Sequence, residues 1–136
     1  MKKLLSIRYS ETGFNLATLM LRVPLGILMC LNHGITKLSH FSELQQTFFD
    51  PLHIGHRWSL ILSLFAEVFA SILIVLGLFS RIAAFILCVD LIVAIFWFHR
   101  GQPLKNMEEA ILFCSGFLCI LLIGPGKYSV DGMTGN

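Results

Sequence analysis

Four long apolar stretches with almost no charge inside them constrain this chain of 136 residues more than any other feature. They run from Phe14 to Ile35, Trp58 to Phe79, Ile82 to Phe98 and Ala110 to Gly124, near the ~20 residues an α-helix needs to cross the hydrocarbon core, with the last two at the short end. Only 13% of the residues are charged, against roughly 25% in an ordinary soluble domain. So little polar surface cannot cover a water-soluble globule of this size, and lipid is the solvent that suits the composition. The sequence therefore predicts an all-α fold, a four-transmembrane-helix bundle forming one membrane domain over residues 1–136. Punctuation falls where the bundle needs it: Ser80 and Arg81 make a tight connection, His99 to Asn106 contains Gly101 and Pro103, and Gly124, Pro125 and Gly126 end the last helix.

Between the first two helices, Leu38, Phe41, Leu44, Phe48 and Leu52 recur near helical spacing among His40, Glu43, Gln45 and Gln46. This predicts an interfacial segment on the membrane surface, stopped at Asp50 and Pro51; a loop tucked over the bundle end fits the same pattern. Four spans put both termini on one side, with Lys2, Lys3, Arg8, Arg81 and Lys127 against Lys37, Arg57, Arg100 and Lys105 on the other. Three of the five precede the first span, where positive charge often sets orientation, so both termini are expected in the cytoplasm. Met1 to Ser6 is read as retained, because Arg8 and Glu11 interrupt the apolar run a signal peptide requires.

Net charge is +2 with basic residues scattered, which predicts no nucleic-acid partner. Cys30, Cys88, Cys114 and Cys119 sit in apolar runs without a C-x-x-C pair, as core residues do. Cys114 and Cys119 would point about 140° apart on one helix, so no disulfide joins them, and no metal site is expected.

Arg22, Glu67 and Asp90 lie near the middles of otherwise uncharged spans, where an ionisable residue must find a partner. On a helical wheel Glu67 shares its face with Ser63, Ala66, Ala70 and Gly77, small residues that admit a neighbouring helix. Arg22 aligns with Asn15, Thr18, Gly26 and His33, and Asp90 with Ala83 and Ala94. The expected arrangement is an Arg22–Glu67 ion pair with Asp90 as second acceptor or a separately protonated acid. A purely structural clasp that fixes helix register is the competing reading. Pro24 frees the carbonyl of Met20 beside Arg22, which suits a ligand niche but is also frequent in membrane helices.

A second group gathers towards the opposite end, where His33, Lys37, His99, Glu108 and Glu109 could surround one polar mouth. Imidazole titrates near neutral pH, so a His beside a carboxylate could relay protons or hold a quinone-like carbonyl. Ordinary interfacial side chains snorkelling to water explain the same residues. Trp58, Trp97 and Tyr128 read as interfacial anchors. No Ser–His–acid set, phosphate loop or haem attachment motif is present, so no catalytic residue is assigned.

The run Leu21, Arg22, Val23, Pro24, Leu25, Gly26, followed by Asn32, His33, Gly34, Ile35, Thr36, Lys37, Leu38, resembles the RxxxG and HGxxKL signature of the DoxX family. Glu67 ahead of Leu76, Gly77, Leu78, Phe79, Ser80, Arg81 is similar to that family's acidic residue and GLxTR turn, and Gly124 to Asp131 resembles its GPGRYSLD ending. Ser80 and Lys127 are conservative departures, and Asp90 is not part of the pattern. The resemblance implies a four-helix protein of the bacterial cytoplasmic membrane with Arg22, Gly26, His33, Gly34, Lys37, Glu67, Gly77, Arg81 and Asp131 at motif positions. It further implies a subunit of, or partner to, a membrane redox complex, which would supply the redox centres while this chain binds a quinone head group near Arg22, His33 and Glu67. A small-solute or proton pathway using Glu67 and Asp90, and a scaffold or assembly factor without catalysis, remain open beside it. So does self-association into a homo-oligomer.

Overall fold

A computed structural model describes residues 8–135; Met1 to Ser6, with Lys2 and Lys3, lie outside the described residues. The chain forms α1 (Glu11–Ser39), α2 (Phe41–Leu44), α3 (His56–Leu76), α4 (Ser80–Phe98), α5 (Leu104–Ile123) and α6 (Val130–Thr134). Of these, α1, α3, α4 and α5 are long and apolar enough to cross a membrane. Both α4 and α5 are longer than the apolar runs alone suggest, because polar residues extend them. Asp131 caps α4 at Ser80, and Pro103 precedes the first turn of α5, with Leu104 to Glu109 forming a polar extension towards water.

The four helices close a ring in which α1 packs on α3 and α5, and α4 packs on α3 and α5. Packing in lipid depends on close approach of backbones more than on apolar burial, and the seams carry the small residues this needs. Gly26 and Gly34 set α1 against α3: a Cβ at Gly26 would come 2.9 Å from the Ser71 carbonyl oxygen, and one at Gly34 3.1 Å from that of Glu67. Ala83 and Ala84 are fully buried on α4, beside Met29, Ile74, Leu87, Phe117 and Ile120. Leu, Ile and Phe side chains such as Met20's neighbours Leu16 and Ile27, and Leu112 and Leu122 on α5, face outward, the arrangement expected of a lipid-facing surface. All four cysteines are free.

Three stretches are wound as π-helix: Met29–Ile35 in α1, Phe65–Ala70 in α3 and Ala94–Phe98 in α4. The first two face each other. A π turn places an extra residue in the helical repeat and so re-aims the side chains that follow.

The connection from α1 to α3 is only partly the surface helix its periodicity suggests. Helix α1 continues unbroken through Ser39, and α2 is a single turn. Asp50 then ends the segment as a cap, its carboxylate accepting from the amides of Ile54 at 3.1 Å and Gly55 at 2.7 Å and from the Ser59 hydroxyl at 2.7 Å. The Ser59 hydroxyl foremost, with those amides, holds Asp50 below the usual carboxylate range.

Candidate functional site

Two polar clusters lie at different depths along the α1–α3 seam. The first is at the end of the bundle where both termini emerge. Arg22, 3% exposed, donates from Nη1 to the carbonyls of Ile74 at 3.0 Å and Val75 at 2.5 Å, and from Nη2 to the carbonyl of Tyr128. Ile74 and Val75 belong to the last turn of α3, whose carbonyls carry the negative end of the helix dipole; the Ile74 carbonyl also accepts from the Gly77 amide at 3.1 Å. A guanidinium there, 3% exposed, satisfies these acceptors without help from the surface.

The tail completes this cluster. Gly77 ends α3 in the left-handed region at φ 72°, and a Cβ on it would lie 2.7 Å from Arg22 Nη1. The tail donates from the Lys127 amide to Asn15 Oδ1 at 2.8 Å and from the Asp131 amide to the Gly77 carbonyl at 2.9 Å. The carboxylate of Asp131 accepts from the amides of Phe79 and Ser80 and from the Ser80 hydroxyl, each at 2.9 Å. Burial works against charge on Asp131, yet these hydrogen bonds and the nearby Arg22 outweigh it and lower its pKa below the usual range. Arg22, Gly77 and Asp131 are thus parts of one knot that ties the tail across α1, α3 and α4.

The second cluster sits farther along the seam, towards the end away from the termini. Lys37 Nζ donates to Glu67 Oε1 at 2.5 Å and to Ser63 Oγ at 3.1 Å. Glu67 is 4% exposed, and its Oε2 has no hydrogen-bond partner among the described residues. Asp90, half-buried on α4, lies within electrostatic reach of both Glu67 and Lys37. Phe48 from the α1–α3 connection places its ring 5.5 Å from Lys37 Nζ. Lys37, its side chain 26% exposed, therefore bonds one carboxylate and has a second carboxyl group nearby.

The expected Arg22–Glu67 ion pair does not form. Side chains on a helix lean towards its N-terminus, and α1 and α3 run in opposite directions, so Arg22 leans towards the terminal end while Glu67 leans towards the other. They diverge. Lys37 leans from the far end of α1 back into the bundle and meets Glu67 instead. Ending the first helix at Ile35 hid this partner, since only the continuation of α1 through Ser39 carries Lys37 over the seam.

Nor do the remaining polar residues surround one mouth. His33 Nε2 is 3.2 Å from Glu109 Oε1, with the ring edge-on to Phe113, while Lys37 turns inward to Glu67. His99 places Nδ1 3.1 Å from Gln102 Oε1 in its own loop. Arg81 is exposed beside Gly124. Ser59, Ser63 and Ser71 were legible only as small residues; with Glu67 they stand at every fourth position along α3, and that spacing was the available sign.

Comparison with known proteins adds a family and little beyond it. The model of the family described as DoxX matches residues 17–100. An uncharacterized protein of Haemophilus influenzae is 40% identical over 72 residues, which cover 48% of this chain and 54% of that protein. The chain thus spans about half the length of the curated relative it matches. No solved structure matches.

Proposed function

The chain belongs to the DoxX family of membrane proteins, and from that premise we propose that it serves a membrane redox complex by binding the polar head of a quinone-like carrier at Lys37, Glu67 and Asp90 and exchanging a proton with it. The observation that carries this reading is Glu67 Oε2, a buried carboxylate oxygen without a partner among the described residues. Such an atom is costly to bury and is an acceptor held ready for a hydroxyl. Two carboxyl groups beside one ammonium cannot both stay ionised cheaply in hydrocarbon, so one of them holds an exchangeable proton. Quinone reduction takes up electrons and protons in equal number. The partner subunits would supply the electrons and this cluster a proton, with Lys37 placed to hold a carbonyl oxygen. The proposed setting is the bacterial cytoplasmic membrane with both termini inside, following the basic residues ahead of α1.

Decylubiquinone titrated into the purified protein in lipid nanodiscs tests the site through quenching of Trp58 and Trp97. Glu67→Gln should weaken the apparent affinity about tenfold, roughly one charge-assisted hydrogen bond, while Asp131→Asn should not change it. Unchanged quenching in Glu67→Gln refutes the assignment. Purification in mild detergent tests the partner: a flavin- or metal-bearing protein should accompany the chain.

The same two carboxyl groups favour a second reading, a proton pathway across the bilayer. It requires a polar route out of the cluster at both ends.

A further inference from the structure

Four polar residues follow one another at every fourth position on the buried face of α3: Ser59, Ser63, Glu67 and Ser71. Spacing of four places them in one file, rising about 6 Å per step. At the end away from the termini the file begins in water, where Ser59 bonds the partly exposed Asp50. It continues through Ser63, which bonds Lys37, to Glu67. Beyond Glu67 stands Ser71, fully buried, with an Oγ that has no partner among the described residues.

Among the described residues three buried polar atoms have no partner: Glu67 Oε2 and Ser71 Oγ, about one helical turn apart on the file, and Arg22 Nε beyond its closed end. Buried groups of this kind are ordinarily satisfied by ordered water. A lone stripe of serines would carry no weight, but here it joins an aqueous cap to an unpartnered carboxylate.

Past Ser71 the file closes. Gly26 brings α1 so near that a Cβ would lie 2.9 Å from the Ser71 carbonyl, and Ile74 is fully buried. Arg22 stands immediately beyond, on the carbonyls of Ile74 and Val75. Its fixed positive charge opposes the passage of a proton, as a lone arginine does in a selective pore.

We propose that water occupies this file from Asp50 to Ser71 and connects Glu67 to one side of the membrane only, the side away from the termini, so that the cluster is a proton half-channel closed by Arg22. The groups facing the file are Asp50 from the connection, Lys37 from α1 and Asp90 from α4. The proposal rests on Glu67 as a proton-exchanging group and is independent of the quinone. It also decides against the second reading, because a half-channel exchanges protons with one compartment without conducting them across.

Single cysteines at Ser63 and Ser71, in protein whose four native cysteines are replaced by serine, test the route in proteoliposomes of defined orientation. A membrane-impermeant cationic methanethiosulfonate should modify Ser63→Cys from the side where a Gln102→Cys control reacts. It should modify neither position from the side where a Thr134→Cys control reacts. Absence of reaction at Ser63→Cys from the Gln102 side means a dry, packed seam and overturns the proposal, as does reaction from the Thr134 side. Should the cysteine-free protein fail to fold, the wild type serves: a water-soluble carbodiimide added on the Gln102 side should label Glu67, read by mass spectrometry, and added on the other side should not. Proteoliposomes of the wild type should leak protons no faster than empty ones, and faster leakage overturns the seal at Arg22. Intact one-sided labelling with lost quinone quenching would remove the quinone and leave the route, and the opposite pattern would remove the route alone.

Discussion

The knot at the terminal end and the cluster around Glu67 are both built on a basic residue of α1 reaching α3, yet they solve opposite problems. Arg22 is matched to neutral backbone carbonyls, and those acceptors cannot change charge. Lys37 is matched to a carboxylate with a second carboxyl group nearby, and those groups can take up a proton. The first arrangement has one state and suits a tie. The second has at least two and suits exchange with a ligand or with water.

The contrast predicts a ranked series of effects on unfolding of the purified protein. Arg22→Met should destabilise most, on the order of 3 kcal/mol if each of the three hydrogen bonds lost is worth about 1 kcal/mol, and by the same amount at pH 5 and pH 8, because carbonyls do not titrate. A cost that vanished at low pH would show that Arg22 is held by a carboxylate. Lys37→Met should cost about 2 kcal/mol, because it leaves the buried Glu67 carboxyl group without its donor. Adding Glu67→Leu to it should recover much of the loss.

Asp131→Ala should cost about 1 to 2 kcal/mol, as loss of a helix cap does. Its pH dependence follows from the depressed pKa of Asp131 in the fold. The stabilisation is complete above the unfolded value of about 3.9 and disappears as pH falls through the lower folded value. Wild type and variant should therefore converge in stability below about pH 4 and differ above it; a constant difference would count against the ionised cap. Glu67→Gln should change stability least, by under about 1 kcal/mol, because the amide keeps an acceptor for Lys37. Its effect should appear in quinone quenching instead.

Much of this was legible beforehand. Four apolar runs with Gly and Pro between them leave few alternatives to four membrane helices, because backbone groups in lipid must be satisfied within each segment. Arg22, Glu67 and Asp90 stood out since a charge in such a run demands a partner, whereas Lys37 reads with the outer polar mouth. The identity of the partner was not legible. Pairing by estimated height placed Arg22 with Glu67, whereas side-chain lean on antiparallel helices sends them apart. Asp131 could be recognised as a motif position, but that it caps α4 depended on a tail folding back over the bundle, which no local pattern specifies.

The sequence alone determined that this chain lives in a bilayer and which of its side chains are too polar to face lipid, because hydrophobic length and the cost of burying charge are properties of each segment by itself. Tertiary structure decided which of those side chains meet. That choice turns on the direction of each helix, on the π-wound turns that re-aim Lys37 and Glu67, and on where the tail returns, all of which are relations between segments distant along the chain.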